Sequence, residues 1–245
     1  MSARPADLVI STAPFVRDST DTSGIMREVL YLALLVLAFA TWRFGPSALL
    51  VTGAATLGAA GTEWAFTRGQ QDSPLLDWSA ILTGVLLGLT LPPALPLWMA
   101  VLGGAVGIGL GKLIFGGLGQ NIFNPALVGR AFLQAAFPTA ITTWSPVVDS
   151  AGGYTSLPAS TFAAPLMHGS IDGMSTATPL GLAKFEHEMT GWGELILGQT
   201  AGSLGETMAL LLIAIGLWMG WRRLFDWRLP TSTLLSVAAF SAVLH

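Results

Sequence analysis

Residues Pro96–Phe115 read PLWMAVLGGAVGIGLGKLIF: twenty positions with a single charge, Lys112, near the end. A helix needs about 20 mostly apolar residues to cross a bilayer. The stretch is long enough alone. It also carries Gly103, Gly104, Gly107, Gly109 and Gly111. Gly103, Gly107 and Gly111 recur every four residues, the small-xxx-small spacing that lets helices approach closely in lipid. Packing is the ordinary reading of such a stripe; a cofactor pressed against bare backbone is the rarer one.

The rest of the chain resembles this stretch. Of 245 residues, 52% are hydrophobic and 10% charged, with 29 glycines and a mean hydropathy of +0.65. Soluble domains carry about 25% charged residues. Eleven basic and fourteen acidic side chains are too few to cover a soluble surface without large apolar patches. Lipid is the natural solvent, and disorder, nucleic-acid binding and ordinary soluble enzymology are excluded. There is no cysteine, so no disulfide, thiolate metal site, iron–sulfur cluster or thiol nucleophile comes from this chain. His168, His187 and His245 form no close pair, and no metal site or catalytic side chain is expected.

Seven apolar segments define the expected fold, an all-α polytopic membrane protein with short or broken helices. They are Ile25–Trp42, Pro46–Phe66, Trp78–Leu91, Pro96–Phe115, Pro125–Phe137, Glu206–Trp221 and a last one from about Leu229. The second and fourth suffice alone. The third and fifth must tilt, borrow flanking residues or be half-helices buried in protein. The domain reading is a cytoplasmic N-terminal segment (1–24), five spans (25–137), a long outward loop (138–205) and two further spans (206–245). The N-terminal segment lacks the apolar stretch of a secretory signal. The chain stops at Leu244-His245 within an apolar stretch, which suggests a fragment, or a partner that completes the fold.

With the N-terminus inside, Arg4, Arg17, Arg27, Arg68, Lys112, Arg222, Arg223 and Arg228 fall inside, and only Arg43 and Lys184 outside. That asymmetry fits the positive-inside rule and fails for the opposite orientation.

Three features stand out for chemistry. In FGGLGQNIFNPALVGR (115–130), Asn124-Pro125 can cap and start a short helix. The amides of Asn121 and Asn124, with the N–H groups at a helix start, could hold a polar ring or an anion, or simply form a capped turn. Glu63 and Arg130 are isolated charges in apolar runs, costly at mid-depth. Each is a functional candidate, and a mutual ion pair is the equal alternative. In the outer loop, Ile171–Leu180 gathers Asp172, Ser175, Thr176 and Thr178 among small residues: an accessible hydroxyl suited to modification, or an ordinary surface loop.

The segment Asp172-Gly173-Met174-Ser175-Thr176-Ala177-Thr178 resembles the flavin-attachment motif of the RnfD/NqrB family of membrane subunits. GGLGQNIFNPALVG (116–129) resembles that family's best-marked membrane segment. Leu82-Thr83-Gly84 with Leu91-Pro92-Pro93 matches a third pattern, in the same order. The likeness covers nearly the whole chain and is greatest to the D subunits of Rnf ion-translocating electron transport complexes. Thr176 stands where the family usually has Gly, and relatives continue well past His245.

The resemblance implies a subunit of an ion-motive electron-transfer complex, ferredoxin/NADH-linked and coupled to Na⁺ or H⁺ movement, in the cell inner membrane. It implies FMN bound covalently to Thr178 by a phosphoester made by a flavin transferase. Asp172, Ser175 and Ala177 complete the motif, and the loop faces the periplasm. It also implies a riboflavin at Asn121 and Asn124. Partners would be the other Rnf subunits, including a second flavin-bearing subunit and iron–sulfur subunits. The competing readings are a small-solute channel or transporter without flavin, and a purely structural assembly subunit.

Overall fold

The computed structural model describes residues 22–68, 77–145, 157–158, 160–165 and 177–244. Among them every regular element is helical. The first five expected apolar segments form α1 (Thr22–Phe44), α2 (Ser47–Thr67), α3 (Ser79–Leu89), α4 (Leu97–Gly111) and α5 (Pro125–Ala136). Three short helices follow: α6 (Pro138–Thr142), α7 (Pro179–Gly181) and α8 (Trp192–Leu197). The last two apolar segments form α9 (Ala209–Trp221) and α10 (Arg228–Leu244). Among the described residues two elements are long and apolar enough to cross a membrane by length and composition: α1, and α4 continued through a 3₁₀ turn to Phe115; the fourth segment meets the expectation, whereas the second, expected to suffice alone, does not and the first does. Helices α3 and α9 are apolar but short, as the sequence suggests for the third segment.

Boundaries follow local chemistry. Pro125 opens α5 at its first turn behind the Asn124 cap. Helix α9 begins at Ala209, three residues after the expected Glu206; just before it, Leu204 and Gly205 donate to the carbonyls of Leu91 (3.1 Å) and Leu89 (2.7 Å). In α2, Thr56, Thr62 and Thr67 donate back to the carbonyls of Thr52, Gly58 and Glu63 at 2.6–2.8 Å, which satisfies their hydroxyls inside an apolar helix.

The core is α2, α3, α4 and α5, with α1 against α3 and α2. Its seam is glycine. A Cβ added at Gly58 would run into the Val101 carbonyl oxygen, and one at Gly104 into the Ala55 carbonyl oxygen, so α2 and α4 meet backbone to backbone. On the other side of α4, Cβ atoms at Gly107 and Gly111 would lie 2.7 Å from the Pro125 carbonyl oxygen and 2.8 Å from Pro125 Cα. The expected packing role of the stripe holds for Gly103, Gly104, Gly107 and Gly111. Gly109 faces open space.

Tryptophans mark the helix ends: Trp42 and Trp64 late in α1 and α2, Trp78 and Trp98 at the starts of α3 and α4, Trp218 and Trp221 late in α9. Arg68 lies over the Trp64 ring at 4.2 Å. Aromatic rings with basic side chains at helix ends suit the headgroup region of a bilayer. Large apolar side chains such as Leu57, Phe66, Leu217 and Phe240 are more than 70% exposed, which water would not tolerate over so wide a surface.

Because α2 and α4 touch through backbone at Gly104, Gly104→Ala should destabilise the chain by about 1–3 kcal/mol through overpacking. Gly109→Ala, five residues on, should change stability by less than about 1 kcal/mol. Unfolding in mixed micelles by denaturing detergent compares the two.

Candidate functional site

Thr178 caps the short helix α7. Its backbone is extended (φ −73°, ψ 158°), Pro179 follows at the first helical position, and Oγ1 accepts from the Gly181 N–H at 3.2 Å. This is the ordinary geometry of a threonine N-cap. The chain continues into a wide π-helical turn, Leu182–Glu186, closed at His187 by a left-handed residue (φ 56°). Thr178 itself is half-buried, while Ala177, Leu180 and Phe185 are exposed, the last two at 80% and 75%. The cap bond uses one lone pair of the hydroxyl and leaves its proton side open. Asp172 and Ser175, the rest of the expected motif, lie outside the described residues.

Asn124 caps α5: its Oδ1 accepts from the Ala126 N–H at 3.0 Å. Asn121 closes the preceding turn, accepting from Gly119 N–H (3.3 Å) and donating from Nδ2 to the Phe123 carbonyl (3.0 Å). Both amides therefore hold the backbone in shape. The side-chain nitrogen of Asn124 has no partner among the described residues.

The two isolated charges do not meet. Arg130 donates to the Thr90 carbonyl at the end of α3. Glu63 binds Lys112, and the alternative of a Glu63–Arg130 ion pair is thereby corrected. The reason is position along the bundle: Glu63 sits late in α2, beside the end of α4, whereas Arg130 reaches the end of α3. Lys112 is the centre of a cluster the sequence reading missed. Its ammonium donates to Glu63 and to the Ser79 hydroxyl, with Asp77 Oδ2 at 3.5 Å. Asp77 in turn accepts from Ser79 N–H (2.8 Å) and Ser79 Oγ (2.6 Å) at the start of α3. Lys112 and Glu63 are 3% and 1% exposed, and Glu63 Oε2 is buried with no partner. In the sequence Lys112 reads as an inside-facing flank of the fourth span. The signal that could have found the cluster is the Asp77…Ser79 pair opening one apolar run while single charges close two others.

An apolar cavity of about 470 Å³ lies between α1, α3 and α9, its wall interrupted by Thr90, Ser203 and Glu206 at one end. Such a wall offers little to a polar solute. Among the described residues no group of three His, Asp or Glu could hold a metal ion.

A family model described as the NQR2, RnfD, RnfE family matches residues 9–245. The chain belongs to this family. Members it resembles include the D subunit of the proton-translocating ferredoxin:NAD(+) oxidoreductase complex of Clostridium ljungdahlii, 36% identical over 90% of this chain and 64% of the relative. The D subunit of the ion-translocating oxidoreductase complex of Stutzerimonas stutzeri is 38% identical over 90% of this chain and 67% of the relative. The D subunit of the Na(+)-translocating ferredoxin:NAD(+) oxidoreductase complex of Acetobacterium woodii is 35% identical over 96% and 69%. The chain thus spans about two thirds of the length of these NQR2, RnfD, RnfE family relatives. The sequence-based recognition of the family is borne out.

Removing one partner of a buried ion pair strands the other charge, at a cost of about 3–5 kcal/mol. Lys112→Met should therefore destabilise the protein severely, and the double variant Glu63→Gln/Lys112→Met should recover more than half of the loss. Unfolding curves of both variants and the wild type in mixed micelles measure this.

Proposed function

We propose that this chain is a membrane subunit of an Rnf-type, ferredoxin- and NAD-linked, ion-translocating oxidoreductase complex, and that it carries electrons on FMN esterified to Thr178. The observation that carries the reading is Thr178 itself: the last residue of an attachment-like motif in a member of this family, half-buried at the start of a short helix beside the exposed Ala177 and Leu180. The structural fit is good. A phosphoester at Oγ1 leaves the ester oxygen able to accept from the Gly181 N–H. Leu180 and Phe185 offer exposed apolar surface nearby. Ala177, without bulk, leaves the hydroxyl reachable by a flavin transferase.

Bound FMN would supply the one- and two-electron chemistry that no side chain of this cysteine-free chain offers. The protein's share is to tether, orient and insulate. A covalent tether keeps the local concentration of the carrier high beside its partners, the flavin-bearing and iron–sulfur subunits of the complex.

The same reading gives the seven helices at the apolar segments seven crossings, with the N-terminus cytoplasmic and the Thr178 loop periplasmic in an inner membrane. A second centre nearer the cytoplasmic side suits the Asn121–Asn124 turn, where the unpartnered Asn124 amide nitrogen could donate to a riboflavin carbonyl. The loop's docking points and that turn lie at opposite ends of α4, whose 15 residues span roughly 22 Å. Whether the coupled ion is Na⁺ or H⁺ differs even between the named relatives. The alternative, a solute transporter without flavin, predicts flux with no bound chromophore.

When the chain is co-produced with an active flavin transferase and run on a denaturing gel, it should fluoresce under ultraviolet light, and the band should vanish in Thr178→Val. A dark wild-type band beside a fluorescent control substrate overturns the reading.

A further inference from the structure

The loop that bears Thr178 is fastened on both sides of that residue to one turn of the bundle. That turn joins α3 to α4, and its Leu91, Pro92 and Leu95 are fully buried, so it is a packed platform rather than a surface loop. On the N-terminal side of the loop, Ser160 Oγ donates to the Ala94 carbonyl at 2.6 Å and the Leu97 N–H donates to the Thr161 carbonyl at 3.1 Å. On the C-terminal side, Leu204 and Gly205 donate to Leu91 and Leu89. Arg43 donates from Nη2 to the Gly198 carbonyl at 2.7 Å, which ties the same stretch to α1.

Arg130 grips this platform from within the bundle. It lies in α5, the helix that Asn124 caps, and donates to the Thr90 carbonyl in the middle of the stretch to which Leu204 and Gly205 are bonded. A guanidinium inside an apolar helix is expensive in lipid unless it finds a strong acceptor, and a carbonyl freed at a helix end is one. The contact thus links the helix that starts at Asn124 to the platform that carries the Thr178 loop.

We propose that Arg130 is a positioning residue: through Thr90 it fixes the α3–α4 turn, and with it the base of the Thr178 loop, relative to α5. The proposal rests on the functional reading of Thr178 only for its purpose, which is to hold an electron carrier at a set distance from the bundle. The geometry itself is independent of any flavin.

The chain has no cysteine, so introduced cysteines can be spin-labelled without background. The test measures the distance distribution by double electron–electron resonance between Phe185→Cys on the loop and Leu57→Cys on α2, in the full chain in nanodiscs. A control pair, Tyr31→Cys on α1 and Leu127→Cys on α5, reports the bundle. Arg130→Gln should broaden the loop–bundle distribution at least twofold and leave the control pair unchanged. Arg130→Lys, which keeps a charged donor, should restore most of the narrow distribution. Ser160→Ala, which removes a loop-side bond from the same platform without touching a charge, should broaden it to a lesser degree, and Arg130→Met serves as the second Arg130 variant should Arg130→Gln not fold. A loop–bundle width in the uncharged Arg130 variants equal to that of the wild type overturns the proposal, whatever Ser160→Ala does. So does equal broadening of both pairs in Arg130→Gln, which assigns Arg130 to bundle packing. A dark gel band for the wild type overturns the flavin reading and leaves this result standing.

Discussion

The contact of α2 with α4 through bare backbone at Gly58 and Gly104 is the constraint on which the rest of this structure depends. In lipid there is little hydrophobic gain from burying leucine against leucine, so helices associate by close packing and polar contacts. Glycine permits the first. The second needs polar groups to be brought within reach across helices, and that requires axes as close as the glycines allow. The end of α4 then delivers Lys112 to Glu63 of α2 and to Ser79 of α3, and the other face of α4 receives Pro125 at Gly107 and Gly111. The short helix α5 could not be seated so near without that groove.

Polarity is concentrated at the two ends of this glycine-seamed bundle. At one end Lys112 gathers a carboxylate from each of two neighbouring segments and a hydroxyl. At the other, the α3–α4 turn offers carbonyls to Arg130 and to the base of the Thr178 loop. A further tie joins α1 to the end of α9, where Arg222 Nε donates to Glu28 at 2.9 Å. Between the two ends the buried side chains are mostly apolar, with Thr52 and Thr83 among them.

Much of this was legible in the sequence. Apolar runs bounded by Trp, Pro and Asn-Pro placed the helices, and four-residue glycine spacing named the faces of α4. Family motifs singled out Thr178 and the Asn121–Asn124 turn, and the cap geometry of Asn124 followed from Asn-Pro alone. What was not legible is which charge meets which. Glu63 and Arg130 look like partners because both are isolated in apolar runs, yet sequence carries no depth coordinate: one is at the Lys112 end of the bundle and the other at the turn end. Lys112 was hidden by lying at a span's flank, where a lysine ordinarily reaches solvent. The docking of the loop was also invisible, since much of it is made by the backbone of Leu89, Leu91, Leu204 and Gly205, whose side chains say nothing of it.

The proposed flavin on Thr178 would give this loop its purpose, and the α3–α4 turn holds the residues on either side of it. The most direct measurement is the mass of the proteolytic peptide containing Thr178, from chain co-produced with an active flavin transferase, with fragmentation to locate any added group. The account predicts the peptide mass increased by FMN less one water, with the addition on Thr178. An unmodified peptide, or a flavin located on another residue, would contradict it.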